Sequence, residues 1–497
     1  MRSAILALLL AIPSFTLAVP EPTILLQVQP IDRLLNAARD GLRGAGGDLF
    51  VQLFDLQYRA IVEQTGTGGI DFARPWGISS VVNGPMQDFN AVIVLPITKE
   101  SEFLNLLKRF GWVGVPEPNT LPGVLRFGTF ELPDFDVPVF IRCKDSYAFI
   151  SLGGPFALAD DKLPKPAWMK PEGAELAALR IRMDRMSMAF RKLLQGSIEV
   201  EFWDIEPDEL FREFRSRWYR ICLDEPREIA MKLDFDAKAG QFVWQTRIDG
   251  EAKTLLCQAY RERPKSTNRF AGMMRDDSVL NVVGQWPAFD SHFRSLMSRS
   301  ARVWANDFAD EGMSQFLNAV GRTFDDGQTD FALNVRGPNA DGHCTAVLAT
   351  ALNDTRTLER AMRGYAWKQV KPGIFEVPIE SPKWGDVFGK PKVIHVALAR
   401  DALFVAIGPD ALAHLKDAME SKGGASPTFA IRTVPKRLLP VLEQHADNAD
   451  LLILVLQRMK EAKTVDLFRL DIEGGDALTV TVRVGYLLWM ASELVPK

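Results

Sequence analysis

Asn90-Ala91-Val92-Ile93-Val94-Leu95-Pro96-Ile97-Thr98, with Phe103, Leu106, Leu107 and Phe110 following at helical spacing and then Trp112, decides the fold because the chain writes it twice. Displaced by 255 positions, the second copy reads Thr345-Ala346-Val347-Leu348-Ala349-Thr350-Ala351-Leu352-Asn353, then Leu358, Ala361, Met362 and Tyr365, then Trp367. Each apolar position of the first helix meets an apolar or small position in the second. Thr98 and Asn353 stand where a helix N-cap is wanted, and both residue types can accept from free backbone N–H groups. A strand run and an amphipathic helix repeated at a fixed distance point to an internal duplication.

Working outward, the match is collinear. Ile24-Leu25 falls on Val279-Leu280, and Pro122-Gly123-Val124 on Pro372-Gly373-Ile374. Asp145-Ser146-Tyr147-Ala148-Phe149-Ile150-Ser151-Leu152-Gly153 resembles Asp401-Ala402-Leu403-Phe404-Val405-Ala406-Ile407-Gly408. Both runs then reach a Pro and an Ala-Leu pair, Ala157-Leu158 and Ala411-Leu412. Trp112 and Trp367, at equivalent positions, read as shared core.

A weaker repetition lies inside each half. A short strand runs into a helix from Ile24, Leu176, Val279 and Phe429, and each is later followed by two strands and another helix. Residues 228–246 and 465–482 alternate apolar and polar around turns at Ala239-Gly240 and Gly474-Gly475, the period-two pattern of hairpins with one buried face. The expected fold class is therefore α+β, with two tandem homologous halves. Each half would be built from two β-α-β-β-α units with mainly antiparallel sheets covered by helices on one face, and extra strands would lie near 124–152 and 374–407. The expected domains are a signal peptide at 1–18, a first repeat half at 19–262, a linker at 263–276 and a second repeat half at 277–497. The linker reading rests on Arg261-Glu262-Arg263-Pro264-Lys265-Ser266-Thr267-Asn268-Arg269, which is polar, charged and broken by proline.

Met1-Arg2-Ser3, the apolar run Ala4–Ile12, Pro13 and the small residues of Thr16-Leu17-Ala18 read as a secretory signal peptide cleaved after Ala18. The run is well short of the ~20 apolar residues of a membrane span, and no later run reaches that length. An extracytoplasmic location, periplasmic or secreted, follows, with no transmembrane segment after cleavage. Cys143, Cys222, Cys257 and Cys344 then face an oxidising compartment, but they contain no CxxC and are too few to form a scaffold in 497 residues. Buried free thiols are the favoured reading.

The charge count, 59 basic against 63 acidic residues, argues against a nucleic-acid partner, which calls for a basic stripe. His292, His343, His395, His414 and His445 show no metal-ligand spacing. No nucleophile elbow, phosphate loop or SxxK is present. The run Thr65-Gly66-Thr67-Gly68-Gly69-Ile70 reads as a loop with a helix C-cap. Glu199, Glu201, Asp204, Glu206, Asp208 and Glu209 could serve acid–base chemistry, but Arg212, Arg215, Arg217 and Arg220 follow at helical spacing and make a solvated face the better reading. No catalytic, cofactor-binding or metal-ligating residue is expected, and no cofactor. The expected function is an exported, non-catalytic soluble protein binding a protein, polymer or apolar ligand through its sheets or inter-half cleft. The alternative is an extracytoplasmic hydrolase using paired carboxylates.

Overall fold

A computed structural model describes residues 21–46, 48–82, 90–109, 112, 115–116, 121–132, 135–152, 154–192, 220–261, 267–285, 291–307, 311–327, 329–353, 355–364, 367–379, 385–399, 401–434, 437 and 468–485. The signal-peptide reading and residues 262–266 of the expected linker lie outside them. The chain divides into two units, Met1–Asn36 with Gln52–Ser197, and Ala37–Val51 with Ile198–Lys497.

The first unit carries β1 (Ile24–Val28), β2 (Trp76–Val81), β3 (Asn90–Pro96), β4 (Val115–Pro116), β5 (Val124–Leu132), β6 (Phe135–Lys144), β7 (Tyr147–Leu152) and β8 (Ala177–Arg182). Between β1 and β2 run helices α1 (Ile31–Gly46) and α2 (Asp48–Thr65), of which Ala37–Val51 belongs to the second unit, and after β3 comes α3 (Glu100–Arg109). Helix α3 has Glu100 and Glu102 in its first turn and Lys108 and Arg109 in its last, the arrangement the helix dipole favours. The strands pair antiparallel in the order β8-β1-β2-β3-β7-β6-β5-β4.

The second unit carries β9 (Pro226–Asp236), β10 (Gln241–Gly250), α4 (Leu255–Arg261), β11 (Thr267–Asn268), β12 (Leu280–Gln285), α5 (Ser291–Asp307), α6 (Glu311–Asp325), β13 (Asp330–Arg336) and β14 (Thr345–Ala351). It continues with α7 (Thr355–Gly364), β15 (Lys368–Lys371), β16 (Ile374–Pro378), β17 (Val393–Ala399), β18 (Ala402–Ile407), α8 (Ala411–Glu420), β19 (Gly424–Ala425), β20 (Phe429–Thr433), β21 (Phe468–Glu473) and β22 (Leu478–Gly485). Its strands pair antiparallel in the order β9-β10-β22-β21-β20-β12-β13-β14-β18-β17-β16-β15, with β11 and β19 forming a separate ribbon. Eight of these, β20-β12-β13-β14-β18-β17-β16-β15, follow the same chain order and pairing as the eight strands of the first unit.

The pairing corrects the expected fold class. Small β-α-β-β-α units covered on one face are not what forms. Strand β1 pairs with both β2 and β8, and β12 with both β13 and β20, so the two units expected in each half share one sheet. The strands near 124–152 and 374–407 are not extras: β7 lies between β3 and β6, and β18 between β14 and β17. Two helices, not one, follow β1 and β12.

Apolar packing also occupies both faces. In the second unit, Val347, Ala349, Phe404, Ala406 and Ala397 pack under Ala411, Leu415 and Ala418 of α8. The alternate residues Val396, Leu398 and Leu403 pack with Leu358 of α7 and Ala319 of α6. In the first unit, Val92, Val94, Phe140 and Phe149 pack under Ala157, Leu158, Leu163 and Met169, while Val139, Ile141 and Ala148 pack with Phe103, Leu104 and Leu107 of α3. A strand covered on both faces needs apolar residues at every position, which is why these runs lack alternation.

Three finer expectations are also corrected. Thr98 and Asn353 are not caps; Thr98 ties a strand end to the loop after α2, and Asn353 ties one to the last turn of α6. Thr98 donates to Gly69 O through its N–H and its hydroxyl, and the Asn353 N–H donates to Thr323 Oγ1. The Ile97 N–H donates to Ser146 O and the Leu352 N–H to Asp401 O, so the register aligns Ser146, not Asp145, with Asp401. Trp112 is 36% exposed, whereas Trp367 packs against Leu358 and its neighbours. Residues 267–276 are built into the second unit: Asn268 is fully buried and donates to Gly284 O at 2.8 Å, and Phe270 and Met273 enter the core.

Candidate functional site

Five adjacent strands of the second unit place polar residues in one cross-strand row. The register pairs Arg483 with Arg469, Arg469 with Arg432, Arg432 with Asn281, and Asn281 with Asn334. Residues directly opposite in antiparallel strands share a face, so the row runs for roughly 19 Å at ~4.8 Å per strand. Asp471 and Arg336, each two residues along its strand from a member of the row, stand on the same face.

The asparagine end is a satisfied network. Asn281 Oδ1 accepts from the Arg275 N–H at 3.1 Å and from Asn334 Nδ2 at 2.7 Å, and Asn281 Nδ2 donates to Arg275 O at 2.8 Å. Asn334 Nδ2 also donates to Ser278 Oγ at 2.6 Å, and Asn334 Oδ1 accepts from Arg336 Nε at 3.0 Å. Arg336 Nη1 reaches Asp417 of α8 at 3.2 Å. One turn earlier on α8, burial and then the Arg336 charge hold His414 below its ordinary pKa. Filled hydrogen-bond capacity makes this end a rigid support.

The arginine end is different. Arg469 Nε donates to Asp471 Oδ2 at 2.6 Å, and Arg483 Nη1 donates to the same oxygen at 3.3 Å. Asp471 is only 4% exposed, while the Arg469 and Arg483 side chains are 31% and 36% exposed. A buried carboxylate thus anchors guanidinium groups that reach toward solvent. Burial, then the Arg469 charge, pull Arg432 below its ordinary pKa. Asp471 Oδ1 and Arg432 Nε are both buried and have no hydrogen-bond partner. An unmatched buried group costs about 1–3 kcal/mol, and more when charged. Three guanidiniums stand against Asp471, with the Asp276 carboxylate also acting on Arg432, so the cluster keeps a positive excess. Arginine is donor-only and stays charged, so the cluster is suited to holding an anion rather than to moving protons.

None of these residues stood out in the sequence. Arg432, Arg469, Asp471 and Arg483 alternate with Ile431, Leu470, Ile472 and Val482, which reads as a solvent face on a half-buried strand. Only the register brings them together, and it makes Asp471 the most buried residue of β21. Glu199, Glu201, Asp204, Glu206, Asp208 and Glu209 lie outside the described residues, as does His445. His395 sits on β17, with Nε2 3.7 Å from Glu376 Oε1 on β16, and Lys368 on β15 reaches Glu376 Oε2 at 3.0 Å. Among the described residues no group of three His, Cys, Asp or Glu side chains could hold a metal ion. No helix among them is long and apolar enough to cross a membrane.

Cys143, Cys257 and Cys344 are free thiols. Burial, then Glu100, push Cys143 up to about 12, and burial raises Cys344. Neither is a thiolate near neutral pH. The glycine run after α2 is a C-terminal turn: Gly66 has φ +70° and its N–H donates to Val62 O at 2.6 Å. Compared with known proteins, the chain matches no protein family, no curated protein and no solved structure.

Proposed function

We propose that this is an exported, non-catalytic binding protein, built from two copies of one ancestral half, that holds a charged ligand on the polar row of β22-β21-β20-β12-β13. The carrying observation is that buried Asp471 anchors the partly exposed Arg469 and Arg483 guanidiniums beside Arg432. The row also favours a charged partner over an apolar one, because an apolar ligand would desolvate those guanidiniums without pairing them.

Duplication is supported by the shared strand order and by details of register. The Thr23 N–H donates to Ser80 O and the Val279 N–H to Val335 O, which sets Thr23 against Val279 and Ile24 against Leu280, one residue from the match read in the sequence. Gly123 and Gly373 open β5 and β16 with φ of +77° and +74°. Export rests on residues 1–18 of the sequence. The test is native mass spectrometry of the protein recovered from the extracytoplasmic fraction without denaturation. The expected species begins near Val19 and carries a bound component that is lost when Arg432 and Arg469 are both replaced by Gln. A bare chain, or one whose bound component survives that double replacement, would contradict the reading.

A further inference from the structure

We draw no further inference here: the strongest candidate, the partly exposed apolar face that Trp244, Val482, Leu470, Ile431, Val282 and Leu333 form on the side of the second-unit sheet opposite the arginine row, carries nothing, because nothing in the structure shows what covers it.

Discussion

Gly68 and Gly123 both hold a positive φ, +57° and +77°, but a side chain would meet different surroundings at each. A Cβ at Gly68 would lie 2.2 Å from Leu106 Cδ2, while at Gly123 nothing lies within 4 Å. Gly123→Ala should therefore cost only the left-handed backbone penalty of roughly 1–2 kcal/mol. Gly68→Ala must also displace Leu106 from its place on α3 and should cost clearly more, about 3 kcal/mol or above. Urea denaturation of the two variants checks this, and equal midpoints would contradict it. Residue type alone misled at this scale. Thr98 and Asn353 suit a cap chemically, yet Thr98 spends its N–H and hydroxyl on Gly69 O, and Asn353 is tied to Thr323. Arg432 gave no signal, because a single arginine between Ile431 and Thr433 is ordinary surface until its cross-strand neighbours are known.

At the scale of elements, α8 joins the apolar core to the polar row. Leu415 is fully buried on the core side, while His414 and Asp417 border Arg336. Burial lowers the His414 pKa below its ordinary 6.5, so the folded chain resists protonation that the unfolded chain accepts. Stability from this source is present above pH 6.5 and is lost as pH falls through the depressed folded value. His414→Gln should flatten the decline in melting temperature between pH 7 and pH 5 relative to the parent chain. An unchanged slope would contradict the assignment. The elements themselves were partly legible. The run 90–96 and its counterpart 345–351 are strands β3 and β14, and α3 and α7 occupy positions displaced by the same interval. Alternation is weak in the strands that have α8 packed on one face and α6 with α7 on the other. It misled at β21, whose most buried residue is the polar Asp471.

At the scale of the whole molecule, pairing joins strands that are far apart in sequence. Residue Gln241 of β10 opposes Gly485 of β22, and β1 and β12 each bind strands from both ends of their own half. Local pattern could show that hairpins exist but not which strands lie between them, so the expected small units became one long sheet in the second unit. The same long-range pairing builds the candidate site, which takes its charged residues from β20, β21 and β22. The central claim is that the arginine end of the row, where Asp471 anchors Arg469 and Arg483, holds a charged ligand. The most direct measurement is a high-resolution crystal structure of protein purified without denaturation from its natural compartment. The account predicts non-water density within hydrogen-bond distance of the Arg469 and Arg483 guanidiniums. Ordered water alone at both guanidiniums would contradict it.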